Sequence, residues 1–141
     1  MKTHILTQKE EMLQQLEILQ QLYPDYTIEK YGTLLDAILK GYYKQIIVTE
    51  NSKTIALTGV WIGTKLWCGK YVEIDNFVVH EDFRGRKIGD ILIEEVNKMA
   101  KEVGANQICL DAYTTNFTAG KFYINHGFVP KGFHFVKFLN Q

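Results

Sequence analysis

The sequence has few of the residues that mark disorder, secretion or metal clusters. It contains only two prolines and two cysteines among 141 residues, and no apolar run reaches membrane-spanning length. A hydrophobic content of 46% excludes a disordered chain. Cys68 and Cys109 lie far apart in apolar surroundings, which predicts buried free thiols in a reducing compartment and no metal site. The N-terminus has no signal-peptide pattern, so we expect a cytoplasmic protein with no membrane partner.

Net charge is also missing. Sixteen basic and sixteen acidic residues give a formal net charge of zero. This balance argues against nucleic acid as a partner, because any positive patch must be local. The length suits one domain over residues 1–141. A homodimer is left open.

Hydrophobic periodicity predicts helices and strands in a definite order. A capping box at Thr7-Gln8-Lys9-Glu10 opens a first helix that Pro24 stops. A turn at residues 51–53 joins two strands into an antiparallel hairpin, and Gly69 marks a bend in a third strand. The order predicts an α/β fold with helices layered around a mixed sheet. The predicted elements after the first helix are a helix at 33–43, strands at 45–49, 54–62 and 67–79, a helix from 88 to Gly104, a strand at 107–111, a helix at 116–126 and a strand at 132–139.

The most informative segment is a basic, glycine-flanked turn between an apolar strand and a long amphipathic helix. It spans residues 78–89 and carries the cations Arg84, Arg86 and Lys87. A helix N-terminus leaves backbone N–H groups unpaired, and the helix dipole favours negative charge there. The turn therefore predicts a cradle for the pyrophosphate of a nucleotide-like ligand. A solvated surface turn is the alternative.

Two motifs resemble those of the GNAT N-acetyltransferase superfamily. Arg84-x-x-Lys87-x-Gly89 resembles its Arg/Gln-x-x-Gly-x-Gly/Ala signature, with Lys87 in place of the usual middle glycine. Residues 116–128 resemble its Asn-x-x-Ala-x-x-Phe-Tyr-x-x-x-Gly-Phe helix. The resemblance covers the C-terminal half of the chain and implies a GNAT-like, mostly antiparallel central sheet flanked by helices, with acetyl-CoA as the donor. The cofactor-binding residues that it implies are Phe77, Val78, Val79, Arg84, Gly85, Arg86, Lys87, Ile88, Gly89, Asn116 and Tyr123.

The resemblance also implies roles in the reaction. Tyr123 matches the tyrosine that protonates the departing thiolate, and a phenol with a pKa of about 10 suits that task. A core tyrosine is the alternative. The backbone of residues 77–79 would pair with the pantetheine arm like an added strand and donate one N–H to the oxyanion. Asn116 would contact the pantetheine or cap its helix.

Two carboxylates mark a candidate acceptor site. Glu73 and Asp75 lie two apart on a strand, so period-two alternation predicts that they share a face with Phe77 and Val79. Strand interiors disfavour carboxylates, which points to a cleft, although a solvated strand face is the alternative. The resemblance makes Asp75 the residue beside the acceptor amine and Glu73 the alternate base. His134 lines the acceptor pocket on the same resemblance, or else is a packed or surface histidine.

These features predict an acetyl-CoA-dependent N-acetyltransferase. The acceptor would be a primary amine of a small molecule, which attacks the thioester directly in a ternary complex. The two cysteines belong to neither motif, which disfavours a covalent intermediate on sulfur. A protein or peptide N-acetyltransferase acting on an N-terminus or a lysine is one alternative, and a non-catalytic CoA-binding sensor or interaction module is another.

Overall fold

The computed structural model describes residues 1–140 and consists of two compact units, residues 1–110 and residues 111–140. The first unit contains the sheet and four of the helices, and the second contains one helix. The strands are β1 (Lys2–Leu6), β2 (Tyr43–Glu50), β3 (Lys53–Lys65), β4 (Gly69–Val79) and β5 (Gln107–Leu110). The helices are α1 (Lys9–Leu13), α2 (Leu16–Leu19), α3 (Ile28–Ile38), α4 (Ile88–Glu102) and α5 (Phe117–Asn125), with a short 3₁₀ helix at Glu81–Phe83.

The five strands form one sheet in the order β1-β2-β3-β4-β5. Strands β1 to β4 pair antiparallel, and β5 pairs parallel with β4. The predicted β2–β3 hairpin is confirmed, and its turn residues Asn51 and Ser52 both have positive φ, as a tight two-residue hairpin turn requires. The expected fold class, a mixed and mostly antiparallel sheet flanked by helices, is confirmed.

Helices cover both faces of this sheet. On one face, α4 packs against β2 to β5 and buries Leu92, Val96 and Met99. On the other face, the first three helices cover a core cluster that includes Met12, Leu35 and strand residues such as Leu57. We call this second face the helical face of α1–α3. It carries the candidate acceptor residues, as the strand register below shows.

The N-terminal predictions were wrong in their boundaries. The first helix is not continuous: α1 ends and α2 begins around Gln15, a buried side chain that donates to Glu11 O and accepts from Thr54. Gln8, rather than Thr7, forms the capping box with Glu11. Helix α3 begins five residues before the predicted start, because Thr27 accepts a hydrogen bond from Lys30 N and so caps it. Strand β1 was not predicted.

Two strand predictions also need correction. The third predicted strand begins at Gly69, which has a φ of 72°, and residues 67 and 68 lie outside it. No strand forms at residues 132–139 in the described part of the chain, although the sequence there alternates apolar and polar residues. A strand needs a hydrogen-bonded neighbour, and all five strands of the described residues pair with one another within residues 2–110. Alternation alone was therefore insufficient.

Candidate functional site

The basic turn is built to leave the start of α4 open. Gly85 has a φ of 79°, and a side chain there would meet no atom within 4 Å. Lys87 is the N-cap residue of α4, and its side chain makes no capping hydrogen bond within the described residues. The first amides of a helix have no partners inside the helix. The N-terminus of α4 therefore offers N–H donors and a favourable dipole for an anion.

The conformation of Lys87 explains why a glycine is usual at its position. Its φ of 60° and ψ of 26° lie in the left-handed region. Glycine enters that region at no steric cost, whereas other residues do so at a cost of about 1–2 kcal/mol. The turn keeps the backbone shape that a glycine would take. Lysine therefore brings conformational strain to this site together with an additional positive charge.

The three cations of the turn have different surroundings. Arg86 lies 3.5 Å from Glu50 Oε1, and its guanidinium stands 5.1 Å from the centre of the Phe83 ring. Arg84 uses its Nε to donate to the carbonyl oxygen of Val79 at 3.3 Å. Both arginines and Lys87 are exposed. Since the carboxylate of Glu50 offsets part of the charge of Arg86, Arg84 and Lys87 supply most of the positive field at the turn.

Strand β4 contains a bulge just before this turn. The register of β3 on β4 shifts between Leu57↔Val78 and Gly59↔Asp75, and Asn76 has a φ of 53°. Two residues of β4 therefore face one residue of β3. Directly paired residues share a face, and the partners of Val78 and Asp75, Leu57 and Gly59, lie two apart on β3 and so on one face. Asp75 therefore lies on the same face as Val78, which belongs to the core under the α1–α3 helices. The expectation that Asp75 shares a face with Val79 was wrong, because the bulge interrupts period-two alternation.

At its C-terminal end, β4 extends past the end of its pairing with the parallel strand β5. The β4–β5 ladder ends at Ile74↔Leu110, and β4 continues to Val79. The His80 N–H donates to Ile55 O at 2.8 Å, beside the Ala56↔Val79 pair. This pattern makes Val79 a non-hydrogen-bonded partner of Ala56, so its own N–H and C=O point away from β3. The structure thus turns the backbone of Val79 towards the edge that a pantetheine arm was expected to use.

The carbonyl of Val79 already has donors, however. Gln21 Nε2 donates to it at 3.2 Å, and Arg84 Nε donates to it as well. The expectation was that both the amides and the carbonyls of residues 77–79 would pair with a ligand. Side chains of this chain occupy the carbonyl of Val79, so its N–H is the group that stays directed at the edge.

The two candidate carboxylates lie on neighbouring positions of the helical face. Asp75 is exposed, accepts from Trp61 Nε1 at 3.1 Å and also accepts from the Asn76 N–H at 2.9 Å. Glu73 pairs with Trp61 across β3 and with Cys109 across β5. Burial first and the Glu73 carboxylate second raise the pKa of the Cys109 thiol. Cys109 is consequently a poor nucleophile.

Aromatic residues surround Asp75 and Asn76 on this face. Tyr43 packs against Trp61 with ring centres 5.0 Å apart, and its hydroxyl donates to Asn76 Oδ1 at 2.9 Å. Asn76 Nδ2 donates in turn to the hydroxyl of Tyr23 at 2.8 Å. Burial raises the pKa of Tyr43 well above its usual value, so its phenol stays protonated. Asn76 was not predicted as a site residue, although an asparagine inside a strand is itself an unusual choice.

Residues 111–140 carry the remaining candidates. Asn116 Oδ1 accepts from the Ala119 N–H at 3.1 Å and caps α5, which is the structural alternative considered for it. Tyr123 lies edge-on to Phe122 and Phe128, and burial raises its pKa to about 12. His134 is exposed and lies 3.3 Å from Asp111 Oδ2. The structure thus groups the basic turn, the β4 edge and the carboxylates in one unit, and places Asn116, Tyr123 and His134 in the other.

Within residues 1–140, no group of three or more His, Cys, Asp or Glu side chains is arranged to hold a metal ion. No helix in the same part of the chain is both long enough and apolar enough to cross a membrane.

A bulged strand leads into a basic helix N-terminus, where the N-cap side chain makes no capping hydrogen bond within the described residues. Residues 42–130 match the family profile of the acetyltransferase (GNAT) domain. The chain therefore belongs to the GNAT acetyltransferase family and is an acyltransferase. No curated protein matches the sequence significantly.

Solved structures share the fold. An aminoglycoside N-acetyltransferase in complex with CoA superposes with a TM-score of 0.82 at 17% identity, covering 99% of this chain and 96% of that chain. An aminoglycoside acetyltransferase from an uncultured soil metagenomic sample, in complex with sisomicin, has a TM-score of 0.83 at 14% identity, with the same coverage of 99% and 96%. Glucosamine-6-phosphate N-acetyltransferase from Arabidopsis thaliana has a TM-score of 0.74 at 23% identity, covering 99% of this chain and 100% of that chain.

Proposed function

We propose that this protein transfers the acetyl group of acetyl-CoA to a primary amine of a small molecule, acting as one domain over residues 1–141 in the cytoplasm. The observation that carries the proposal is the continuity of β4 with the turn. The Val79 backbone faces the edge of β4 beyond the point where its pairing with β5 ends, and a few residues later the chain reaches the open N-terminus of α4. One extended ligand with an amide-bearing arm and a pyrophosphate matches that sequence of donors.

The residues of the turn fit the donor substrate. The amides at Ile88 and Gly89 stand at the positive end of the α4 dipole, and the side chains of Arg84 and Lys87 add charge that would offset the pyrophosphate. The open space at Gly85 keeps the approach clear. The N–H of Val79 would hydrogen-bond to the arm or to the thioester oxygen. When bound, acetyl-CoA supplies the activated acyl group, and the chain supplies its orientation.

The acceptor would enter from the helical face. Asp75 is exposed there, with both oxygens oriented by Trp61 Nε1 and the Asn76 N–H, and Glu73 is the next residue on that face. Two carboxylates among aromatic rings suit a cationic amine. Asp75 would accept the proton of the amine, directly or through water, and Glu73 is the alternate base. Two of the structurally similar enzymes are named for aminoglycosides and a third for glucosamine-6-phosphate, and these compounds are small amines.

Direct attack in a ternary complex fits the available side chains. The amine forms the new C–N bond, the C–S bond breaks, the amine proton leaves to Asp75 or water, and the sulfur leaves as CoA thiol. Cys109 has a raised pKa and is a poor site for an acetyl-thioester intermediate. We assign protonation of the leaving sulfur to Tyr123 on the strength of its motif, with Asn116 and His134 as lesser contributors to the pantetheine and acceptor sites.

A thiol-release assay with acetyl-CoA tests the proposal. A panel of small primary amines, with N-terminal and lysine peptides alongside, should show turnover with small cationic amines and little with peptides. Thermal shift with CoA and with pantetheine gives an independent readout of the basic turn, because pantetheine lacks the pyrophosphate. Turnover with peptides alone would favour a protein acetyltransferase. CoA binding with no turnover on any acceptor would favour a sensor, and equal shifts from pantetheine and CoA would remove the assignment of the turn.

A further inference from the structure

Asn76 performs two tasks at the bulge of β4. Its left-handed backbone, with a φ of 53°, is the conformation that asparagine tolerates better than most residues. Its side-chain amide accepts from the Tyr43 hydroxyl at 2.9 Å and donates to the Tyr23 hydroxyl at 2.8 Å. A side-chain amide can accept and donate at once without adding a charge beside Asp75. The bulge is thus held by a side chain as well as by its own backbone.

Gln21 makes a second contact of the same kind three residues further along β4. Its Nε2 donates to the Val79 carbonyl oxygen at 3.2 Å, and its Oε1 accepts from the Glu81 N–H at 3.1 Å. One amide therefore joins the end of β4 to the start of the 3₁₀ helix. It occupies the carbonyl of the residue whose N–H faces the edge of β4.

Both contacts come from one short segment. Gln21 and Tyr23 lie two residues apart just after α2, and between them they reach both sides of Phe77 and Val78. The segment has its own anchor, because Gln20 Nε2 donates to Tyr26 O at 2.9 Å. The connection after α2 therefore holds β4 at two points.

We propose that Asn76 and Gln21 are positioning residues that fix the direction of the backbone groups of Phe77 and Val79. The inference rests on the proposed function, in which those groups orient the thioester. The two side chains lie on the helical face and act through the strand, since a displacement of about 1 Å at a reacting centre lowers the rate by about 100-fold. Gly59 supports the arrangement, because a methyl group there would come within 2.5 Å of Asn76 Oδ1 and of the Tyr43 hydroxyl.

Three variants test this role. Asn76→Gly keeps the left-handed backbone and removes both hydrogen bonds, while Gln21→Met keeps the length of the side chain and removes its amide. Gln20→Met is the matched control, because it loosens the same segment without touching β4. We expect kcat with acetyl-CoA to fall about 10- to 100-fold in the first two variants and less than about 2-fold in the control. KM for the acceptor should change little, because Asp75 remains in place.

A readout that needs no activity accompanies the kinetics. The NMR amide resonances of Phe77 and Val79 should shift in Asn76→Gly and Gln21→Met, and should stay unchanged in Gln20→Met. If the wild-type protein neither binds CoA nor turns over, the proposed function fails, and these resonances still decide the positioning role. Unchanged resonances and wild-type kcat in folded Asn76→Gly and Gln21→Met would overturn it, as would equal losses in the control. Should either variant fail to fold, Tyr43→Phe removes one of the bonds and should give a smaller loss of the same kind.

Discussion

Lys87 should lower the stability of the folded chain through its backbone conformation and strengthen CoA binding through its charge. Two substitutions separate these effects. Its backbone is left-handed, with a φ of 60°, while its side chain adds a positive charge at the open end of α4. Lys87→Gly removes both the conformational strain and the charge. Lys87→Ala removes only the charge, because alanine suffers the same strain as lysine. The pair therefore isolates the backbone effect as the difference between two variants with the same net charge.

The size of each effect follows from this geometry. Relief of left-handed strain is worth about 1–2 kcal/mol, from which the extra freedom of glycine in the unfolded chain subtracts about 0.4–1 kcal/mol. The free energy of unfolding of Lys87→Gly should therefore be about 1 kcal/mol higher than that of Lys87→Ala. For a protein of this size, that difference raises the melting temperature by about 3 °C. Loss of one exposed cation near a pyrophosphate should cost about 0.4–1 kcal/mol of binding in both variants, a two- to fivefold weaker Kd.

Differential scanning calorimetry and CoA titration of the wild type and both variants give the needed values. The Kd differences should shrink at high salt, because exposed charges are screened. Equal melting temperatures for Lys87→Gly and Lys87→Ala would refute the left-handed assignment. Unchanged CoA affinity in both variants, measured at low salt, would refute a role for this cation at the pyrophosphate.

Three further predictions concern single side chains. Tyr123→Phe should lower kcat by about 10- to 1000-fold with CoA affinity nearly kept, because burial raises the Tyr123 pKa to about 12 and so keeps the phenol protonated as an acid. Wild-type kcat in this variant would assign the proton to water. Asp75→Asn should raise KM for cationic amines and leave the CoA thermal shift intact, with Glu73→Gln as the control on the same face; the reverse result would move the acceptor site. Burial raises the Tyr31 pKa from 10.0 to about 12, so the contribution of this side chain to stability is present below about pH 10 and lost between about pH 10 and 12. In Tyr31→Phe, the melting temperature should therefore fall less steeply over that pH range. An unchanged fall would contradict this role of Tyr31.

The sequence predicted the elements whose signal is local. Helix α4 has an apolar stripe that ends at a glycine, and the structure places it at Ile88–Glu102. The β2–β3 hairpin has a polar turn between two β-branched runs. Helix α5 follows its asparagine cap. In each case the hydrophobic periodicity and the residue at the end of the element predict the same secondary structure.

The errors arose where tertiary contacts decide. Whether the first helix continues depends on buried Gln15, which bonds to Thr54 on β3, and no local pattern reveals that partner. The bulge at Asn76 depends on Tyr43 and Tyr23, which are distant in sequence. One extra residue in a strand reverses the facing of every residue after it. The prediction that Asp75 and Val79 share a face was consequently wrong, even though each residue was correctly placed on β4.

The bulge also decides how donor and acceptor reach one place in the proposed reaction. Helix α4 covers one face of the sheet, and its N-terminus would hold the pyrophosphate; Asp75 and Trp61 lie on the opposite face, where the amine would enter. The edge of β4 beyond Ile74 lies between the two faces. Lys87 lies at the N-cap of α4, whereas Asp75 bonds to Trp61 and Asn76 on the opposite face, so their effects on the free energy of the transition state should add. The kcat/KM losses of Lys87→Ala and Asp75→Asn should therefore multiply in the double variant, measured with a cationic amine at saturating acetyl-CoA and again at limiting acetyl-CoA. If Lys87→Ala alone lowers kcat/KM at limiting acetyl-CoA but the double variant is no worse than Asp75→Asn alone, both residues act on one substrate and the two-sided arrangement is wrong.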